Sequence, residues 1–230
     1  MTDEELTAKI QAFKWYHPIR VREGIHTRPE NVYSDAWSLI DKGMDAIEFS
    51  GKAVLDVGTR DGKYAFQAES KGAVVTAIDN NLSLGALFLR DLWGSKTEFR
   101  NLSLYSMEPA PTYDIILFFG VLYHLRYPML ALRRLSQLLK PDGMLYIETS
   151  IYGADESVPL VYCPVGDKPY EPTSCSFFNV EGLRVTLDSF GCSVLRHEVQ
   201  SGDHLPPVKR CWFEVKKTRS PDEVLMGYWE

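Results

Sequence analysis

Glycine and aspartate residues between positions 53 and 81 have the spacing of a cofactor-binding turn. Gly58 and Gly62 follow an apolar run, Asp61 stands between them, and Asp79 ends a second apolar run. The glycines fit neither the dinucleotide fingerprint, which needs glycines at relative positions 1, 3 and 6, nor a Walker A loop. A carboxylate in this turn would repel a pyrophosphate, although helix N-termini otherwise attract anions. The residues therefore predict a cofactor that lacks phosphate and carries positive charge.

Asp79 indicates another part of such a cofactor. It follows Asp56 by about 20 residues, a distance at which an acidic side chain can accept hydrogen bonds from ribose hydroxyls. S-adenosylmethionine contains a ribose, an ammonium and a sulfonium but no phosphate, so it is the predicted cofactor. The simpler interpretation, a strand–helix–strand unit with a glycine turn and no ligand, stays open at this point.

Histidine and tyrosine side chains are the candidates for proton transfer with an acceptor. Tyr123 and His124 follow the fourth apolar run of the alternating region, close to where α/β sheets bind ligands. His17 and His26 lie in an aromatic and basic segment near the N-terminus and could reach the site if that segment forms a lid. Trp15 would then close over the donor and contact its cation. For these side chains, packing in the core or beneath the N-terminal helix is the alternative.

Composition and charge limit the partners. The 230 residues carry a formal net charge of −6, with 45% hydrophobic and 24% charged residues, as expected for a globular protein. This balance disfavours nucleic acid as a partner, and the basic pair at 209–210 is interpreted as solvated surface. The dispersed histidines predict no metal site, and His204 is assigned to a surface loop. We expect a cytoplasmic protein with free thiols, a small-molecule acceptor and no membrane association, and the oligomeric state stays open.

The elements that must position these residues alternate between apolar runs and amphipathic segments. The pattern predicts parallel strands at 53–57, 73–78, 98–104, 114–119 and 144–149. Helices are predicted at 62–71, 82–93, 128–139 and 180–190. An antiparallel hairpin of runs 192–199 and 209–217 completes an α/β architecture, with seven strands and helices on both faces of the sheet.

The first 50 residues are predicted to form a helical extension that covers the site, ahead of a domain at 51–230. Thr2 and Glu5 have the spacing of a capping box for a helix over 3–13, and a second helix is predicted over 30–46. The long segment 150–178 contains four prolines and is predicted to contribute to the substrate wall.

Four motifs, VLDVGTRDG, VTAIDNN, YDIILFFGVLYHL and LKPDGMLYIET, resemble in this order those of the class I S-adenosylmethionine-dependent methyltransferases. The resemblance implies a Rossmann-like, mostly parallel sheet of order 3-2-1-4-5-7-6. It also implies that the donor's methionine end lies near Asp56, Gly58, Thr59 and Gly62, its ribose near Asp79 and Asn80, its adenine near Ser106 and Met107, and its underside near Phe119 and Gly120. Arg60 stands where the family has its middle glycine.

Three segments, KWYHPIRVREGIH, GVLYHLRYPMLAL and SFFNVEGLRVTLDSFG, are also similar to the tRNA uridine-5-oxyacetate carboxymethyltransferase group. Members of that group use carboxy-S-adenosylmethionine and place its extra carboxylate near basic and tyrosine side chains. Tyr123 matches the group's tyrosine, whereas His17 stands where the group has a lysine.

These observations predict a methyltransferase that moves a methyl group from S-adenosylmethionine to an oxygen or nitrogen of a small or medium-sized acceptor. The alternative is carboxymethyl transfer to a tRNA wobble uridine. A non-catalytic protein that keeps the fold is disfavoured by the presence of Asp79. A nicotinamide oxidoreductase is disfavoured by the glycine spacing.

Overall fold

The protein is an α/β structure, seen in a computed structural model that describes residues 1–29, 34–153, 157–164, 173–200, 208–220 and 223. Its helices are α1 (Asp3–Gln11), α2 (Ser34–Asp45), α3 (Lys63–Ser70), α4 (Leu84–Trp93), α5 (Pro128–Leu138) and α6 (Val180–Ser189). Its strands are β1 (Arg20–Arg22), β2 (Ile25–His26), β3 (Ala53–Val57), β4 (Val74–Asp79), β5 (Glu98–Asn101), β6 (Tyr113–Phe119), β7 (Leu139–Tyr152), β8 (Val161–Tyr162), β9 (Phe177–Phe178), β10 (Cys192–Val199) and β11 (Val208–Lys217).

The main sheet has the predicted strand order. Its path runs β5-β4-β3-β6-β7-β11-β10, which is 3-2-1-4-5-7-6 when these seven strands are numbered along the chain. The first five strands of this path are parallel to one another, and β11 is antiparallel to both β7 and β10. The described part of this sheet also includes β8 and β9, which pair beside the end of β7, so it has nine strands where seven were predicted.

Both faces of the sheet are covered by helices, because its strands are apolar on both sides. Alternate residues of β6 show this. Ile115 and Leu117 pack in a cluster with α2 and α3, whereas Ile116 and Phe118 pack in a cluster with α5 and α6. The prediction of helices on both faces is therefore confirmed.

Two predicted strands have different lengths in the structure. The strand predicted at 98–104 ends at Asn101, and a short 3-10 turn, Leu104–Ser106, follows because the Ser103 hydroxyl accepts the N–H of Tyr105 at 3.3 Å. The strand predicted at 144–149 runs from Leu139 to Tyr152, because β11 pairs with residues 144–152 and β6 pairs with Leu139 at its start. Neither effect is visible in the local apolar pattern.

The N-terminal region differs from the prediction in its middle part. Helix α1 begins with the expected capping box of Thr2 and Glu5. Strands β1 and β2, which were not predicted, form a small antiparallel hairpin in the segment between the helices. Residues 30–33, at the predicted start of the second helix, lie outside the described residues, as does His204.

Helix α2 approaches the sheet closely at Gly43. A Cβ atom there would lie 2.4 Å from the ring of Trp212, which is buried in β11. The Trp212 ring packs against Phe119 at the end of β6, with 5.3 Å between ring centroids. Gly43 therefore sets how closely α2 packs against the sheet. Through Trp212 it also supports Phe119, a residue of the site described below.

We expect Gly43→Ala to lower the free energy of unfolding by about 1–3 kcal/mol, because the clash with Trp212 outweighs the better helix propensity of alanine. Urea unfolding of the variant measures this loss. In a Trp212→Phe background, where the shorter ring leaves room for the methyl group, the same substitution should cost much less. Equal losses in the two backgrounds would contradict this packing account.

Candidate active site

A cavity of about 610 Å³ opens at the carboxyl ends of β3, β4 and β6. This is where open α/β sheets bind ligands, and its volume is within the range of small-molecule sites. One part of its wall is formed by the turn after β3 and the end of β4. Another part is formed by the N-terminal segment, α2, β7 and β11.

The turn between β3 and α3 requires glycine at both of its ends. Gly58 has φ of +78°, and a Cβ atom there would lie 2.3 Å from Val121. Gly62 has φ of +82°, and a Cβ atom there would lie 2.7 Å from the ring of Phe66. The N–H groups of Gly58 and Thr59 donate to the carbonyl of Ile78 in β4, so the turn is fastened to the neighbouring strand.

Arg60 adopts the left-handed conformation that a glycine would favour, with φ of +51°. Its N–H donates to Asp79 Oδ2 at 2.9 Å, and its exposed guanidinium donates to the carbonyl of Asn81 at 3.3 Å. The side chain thus reaches along the rim of the cavity towards the end of β4.

Asp61 does not face the cavity, so our interpretation of it as a group that repels phosphate is wrong. Its side chain is buried, and its Oδ2 accepts the N–H of Tyr16 and, at 2.9 Å, the N–H of His17. These partners precede it by 45 and 44 residues. Asp61 therefore holds the N-terminal segment against the glycine turn, and the case for a cationic cofactor depends on other residues.

Asp79 and Asn80 lie on the cavity wall at the end of β4. The Asp79 carboxylate accepts the N–H of Arg60 through Oδ2 and the N–H of Asn81 through Oδ1, at 2.7 Å. These two bonds fix the orientation of the carboxylate, which is half-buried at the edge of the cavity.

The residues predicted for the adenine are displaced from the cavity. Ser106 is exposed, and Met107 is buried in the core cluster shared with α5 and α6. The cavity is instead lined there by the four preceding residues, 102–105. The 3-10 turn at Leu104–Ser106 causes this difference, because it bends the chain away from the site earlier than the predicted strand would.

Asp56 lines the base of the cavity and is buried with Thr59 and the glycine turn. Its burial, together with the charge of Asp79, raises the pKa of the Asp56 carboxyl to about 7, against a smaller lowering effect of Thr59. Asp56 Oδ2 has no hydrogen-bond partner in the described part of the chain. A cationic or proton-donating group of a ligand would satisfy this oxygen.

Aromatic rings form another part of the cavity wall. Tyr16, His17 and Trp37 lie together, with the imidazole centroid 6.2 Å from Trp37 and 4.8 Å from Tyr16. Tyr64 lies 5.4 Å from the imidazole, and Phe119 lies 5.3 Å from Tyr64. Burial lowers the pKa of His17, although Asp61 acts in the opposite direction.

Two residues predicted for the site lie elsewhere. Trp15 packs against Gly85 and donates its ring N–H to the carbonyl of Ile10 at 2.7 Å, in the cluster beneath α1. The exposed His26, in β2, lines a separate cavity of about 340 Å³ together with Trp15. Of the predicted lid residues, His17 lines the main cavity, whereas Trp15 and His26 do not.

Tyr123 and His124 lie on the cavity wall in a short 3-10 turn after β6. The Tyr123 ring stacks on Phe177 with 6.2 Å between centroids. Nδ1 of His124 lies 3.1 Å from the Thr173 hydroxyl. Thus the side chains of Tyr123 and His124 reach the site together, as their sequence positions suggested.

Sequence reasoning missed a buried ion pair at the floor of the cavity. Arg210, which was interpreted as solvated surface, donates from Nε to Glu148 at 2.5 Å and from a second nitrogen to the other Glu148 oxygen. It also donates to Ser150 at 2.9 Å, and its guanidinium lies 5.0 Å from the Tyr123 ring centroid. Burial raises the pKa of Glu148 while the Arg210 charge lowers it. The sequence contained one indication of this ion pair, Glu148 itself, because an acidic residue within an apolar strand needs a buried partner.

Two further searches covered only the described residues. They contain no group of three or more histidine, cysteine, aspartate or glutamate side chains arranged to hold a metal ion. Their helices include none with the length and apolar character that crossing a membrane requires.

Comparison with known proteins gives consistent results. A family model described as a methyltransferase domain matches residues 34–197. A protein of Idiomarina loihiensis named tRNA U34 carboxymethyltransferase is 29% identical over 182 residues, which are 73% of this chain and 54% of that protein. A protein of the same name from Pseudomonas aeruginosa is 34% identical over 124 residues, 50% of this chain and 37% of its own length. The chain spans about half the length of these relatives or less.

Solved structures show the same fold. The N-terminal domain of EvdMO1, determined with S-adenosylhomocysteine and D-fucose, covers 95% of this chain and 98% of its own with a TM-score of 0.68 and 17% identity. The 1,6-didemethyltoxoflavin-N1-methyltransferase of Burkholderia thailandensis covers 81% and 78%, with a TM-score of 0.62 and 18% identity. The [4+2]-cyclase SpnF covers 82% and 86%, with a TM-score of 0.64 and 18% identity.

The conformation of Arg60 predicts an unusual order of substitutions. Arg60→Gly should change the free energy of unfolding by less than about 1 kcal/mol, because relief of the left-handed conformation offsets the greater freedom of glycine in the unfolded chain. Arg60→Val should cost about 1–3 kcal/mol, because a β-branched residue is strained at positive φ. Urea unfolding compares the two, and a valine variant as stable as the glycine variant would contradict the turn geometry.

The raised pKa of Asp56 predicts a pH-dependent difference in stability. Between pH 4 and about pH 7 the unfolded state loses this proton before the folded state does, so the Asp56 contribution to stability falls as pH rises. Asp56→Asn removes that contribution. Its stability relative to the parent should therefore rise by about 1.4 kcal/mol per pH unit within this window. Denaturant unfolding across pH measures it, with the exposed Asp91→Asn as control, and parallel curves for Asp56→Asn and the parent would contradict the shift.

Proposed function

Because the chain belongs to the methyltransferase domain family, whose model spans residues 34–197, we propose that it transfers a methyl group from S-adenosylmethionine to an oxygen or nitrogen of a small or medium-sized acceptor. The observation that carries this proposal is the arrangement of the glycine turn and Asp79 at one wall of the cavity. Two carboxylates on that side, Asp56 and Asp79, suit a cofactor with a ribose and an ammonium group.

The donor half of the cavity fits this cofactor in its charge and its shape. Asp79 would accept the ribose hydroxyls, and the unpartnered oxygen of Asp56 would receive a proton-donating group. Gly120, with φ of +68°, lets the backbone pass close beneath a ligand. When bound, S-adenosylmethionine supplies a methyl carbon that an acceptor lone pair can attack in line with its bond to the positively charged sulfur.

The protein's contribution to such a displacement is mainly positional. Holding an acceptor aligned with a reactive methyl group can lower the barrier by about 7–11 kcal/mol at its upper limit. The aromatic wall and the 3-10 turn with Tyr123 and His124 line the rest of the cavity, so we assign the acceptor to these surfaces. A base among them is needed only if the acceptor must lose a proton.

Carboxymethyl transfer to a tRNA uridine is the second candidate. The relatives named tRNA U34 carboxymethyltransferase favour it, as does the presence of Arg210 beside Tyr123 in the cavity. Against it, Arg210 is bonded to Glu148, and burial lowers the pKa of His17, which stands at the position of the group's lysine. These contacts leave little positive charge for a donor with an extra carboxylate, which favours the uncarboxylated donor.

The two candidates differ in the donor they prefer. The chain is titrated calorimetrically with S-adenosylmethionine and, in a separate experiment, with carboxy-S-adenosylmethionine. Tighter binding of the uncarboxylated donor supports plain methyl transfer, and a clear preference for the carboxylated one would replace it with the second candidate.

A third class, a non-methylating protein on this fold, has a precedent in the cyclase neighbour, because fold alone does not fix chemistry.

We expect the chain to bind S-adenosylhomocysteine at one site, and Asp79→Ala to weaken this binding by about 10- to 100-fold, because hydrogen bonds to a charged group are lost. Isothermal titration measures both affinities, with Asp91→Ala as an exposed control and urea unfolding to confirm that each variant folds. Absence of binding by the parent chain would overturn the proposed function. Equal affinity of Asp79→Ala and the parent would remove Asp79 from the site.

A further inference from the structure

His17, which lines the cavity, forms a buried imidazole–carboxylate pair with Asp61. His17 is 6% exposed and Asp61 0% exposed, and Nδ1 of the imidazole lies 3.6 Å from Asp61 Oδ2. The same oxygen accepts the backbone N–H of His17 at 2.9 Å, whereas its contact with Nδ1 has the length of an ion pair and not of a hydrogen bond. Nδ1 is enclosed and faces Asp61, and Nε2, on the opposite side of the ring, is the nitrogen through which the imidazole can meet a ligand.

The surroundings of His17 favour a neutral ring that can accept a proton. Burial lowers its pKa, Lys63 lowers it further, and Asp61 and Asp41 raise it. Lys63, in α3, is paired with Asp41, in α2, at 2.8 Å. The other side chains against the imidazole are the aromatic rings of Tyr16, Trp37 and Tyr64. A buried neutral imidazole with a carboxylate close to Nδ1 can act as a general base.

The aromatic rings around His17 also indicate the kind of acceptor. Tyr16, Trp37, Tyr64 and Phe119 line the cavity together with His17. Of the described charged residues in this part of the lining, Arg210 and Glu148 are bonded to each other. Such a wall offers edge and face contacts to a flat apolar ring and no separate charge to match an ionic substrate.

From this geometry we propose that His17, positioned by Asp61, is the general base for methylation of an aromatic acceptor at a phenolic hydroxyl or a ring N–H. The proposal rests on the methyltransferase function proposed above. Nε2 of His17 takes the proton from the acceptor oxygen or nitrogen, whose electron pair forms the new bond to the methyl carbon. The carbon–sulfur bond breaks and its electron pair stays on sulfur. The products are the methylated acceptor, neutral S-adenosylhomocysteine and a protonated His17.

Asp61 is a positioning residue in this scheme and His17 a catalytic one. Asp61 holds the backbone of His17, and its nearby charge stabilises the imidazolium that forms. Its second role, as acceptor for the backbone of Tyr16 and His17, keeps the aromatic wall at the cavity. A purely structural role for Asp61 would change stability and affinity but would not move a titration of the reaction rate.

The proposal is tested with para-substituted phenols of increasing acidity and with N–H heterocycles as probe acceptors, with formation of S-adenosylhomocysteine measured in each case. We expect His17→Gln to lower turnover of the least acidic phenols by about 10²- to 10⁴-fold. The loss should be much smaller for phenols that are already ionised, because they need no base. His197→Gln, on the exposed strand β10, is the matched control and should turn over every probe like the parent.

The pH profile provides a second measurement that does not depend on full loss of activity. Turnover should fall at acidic pH as His17 becomes protonated. Asp61→Asn should move this acid limb to lower pH, because it removes the charge that raises the pKa of His17. Lys63→Gln should move it to higher pH, because it removes a charge that lowers the same pKa. Shifts in these opposite directions support the pair.

Three results would overturn the inference. The first is an equal loss for acidic and non-acidic phenols in His17→Gln. The second is an acidity-dependent loss in His124→Gln with none in His17→Gln. The third is no turnover of any phenol or heterocycle by a parent chain that binds S-adenosylhomocysteine, which would leave methyl transfer standing and remove the aromatic acceptor. A parent chain that does not bind S-adenosylhomocysteine would instead overturn the proposed function.

Discussion

The buried carboxylate of Asp61 is the interaction on which the site depends. It lies in the turn that separates β3 from α3, and it accepts two backbone N–H groups from a segment more than 40 residues earlier in the chain. The residue before it, Arg60, donates its own N–H to Asp79. Two consecutive residues therefore fix two parts of the wall of one cavity, the end of β4 through Arg60 and the N-terminal aromatic segment through Asp61. A carboxylate so enclosed contributes most when its hydrogen bonds are made, because the cost of burying it is then offset.

The sheet supports this arrangement from below through a second buried charge. Glu148 of β7 and Arg210 of β11 are bonded across antiparallel strands at the floor of the cavity. Such a pair contributes little net stability compared with apolar residues, but loss of one partner would leave the other charge uncompensated. The antiparallel direction of β11 is what brings Arg210 next to Glu148 and Tyr123. Around this floor, apolar packing of Trp212 on Phe119 and the close approach at Gly43 hold α2, and with it Trp37, at the cavity.

The fold could be predicted from the sequence because its signals are local. The apolar run at 53–57 and the run at 192–199 coincide with β3 and β10, and the strand order along the main path follows from the motifs. The turn glycines were recognised for the same reason, since positive φ is a property of single residues. One local interaction was overlooked, the Ser103 cap that follows β5. The strand therefore ends a few residues earlier than predicted, and Ser106 and Met107 lie away from the cavity.

The roles of Asp61 and Arg210 could not be predicted in this way. Each depends on a partner far away in the sequence, the N-terminal backbone for Asp61 and Glu148 for Arg210, and neither spacing is periodic. Trp15 and His26 show the same limit, because the unpredicted β1–β2 hairpin places them at a separate cavity.

The most direct test of the account is a crystal structure of the chain grown with S-adenosylhomocysteine. The account predicts the ribose at Asp79, the homocysteine end beside Gly58 and Asp56, and the Asp61 carboxylate still bonded to the N–H groups of Tyr16 and His17, which belong to the aromatic wall. A ligand bound away from Asp79, or an N-terminal segment released from Asp61 in the complex, would contradict it.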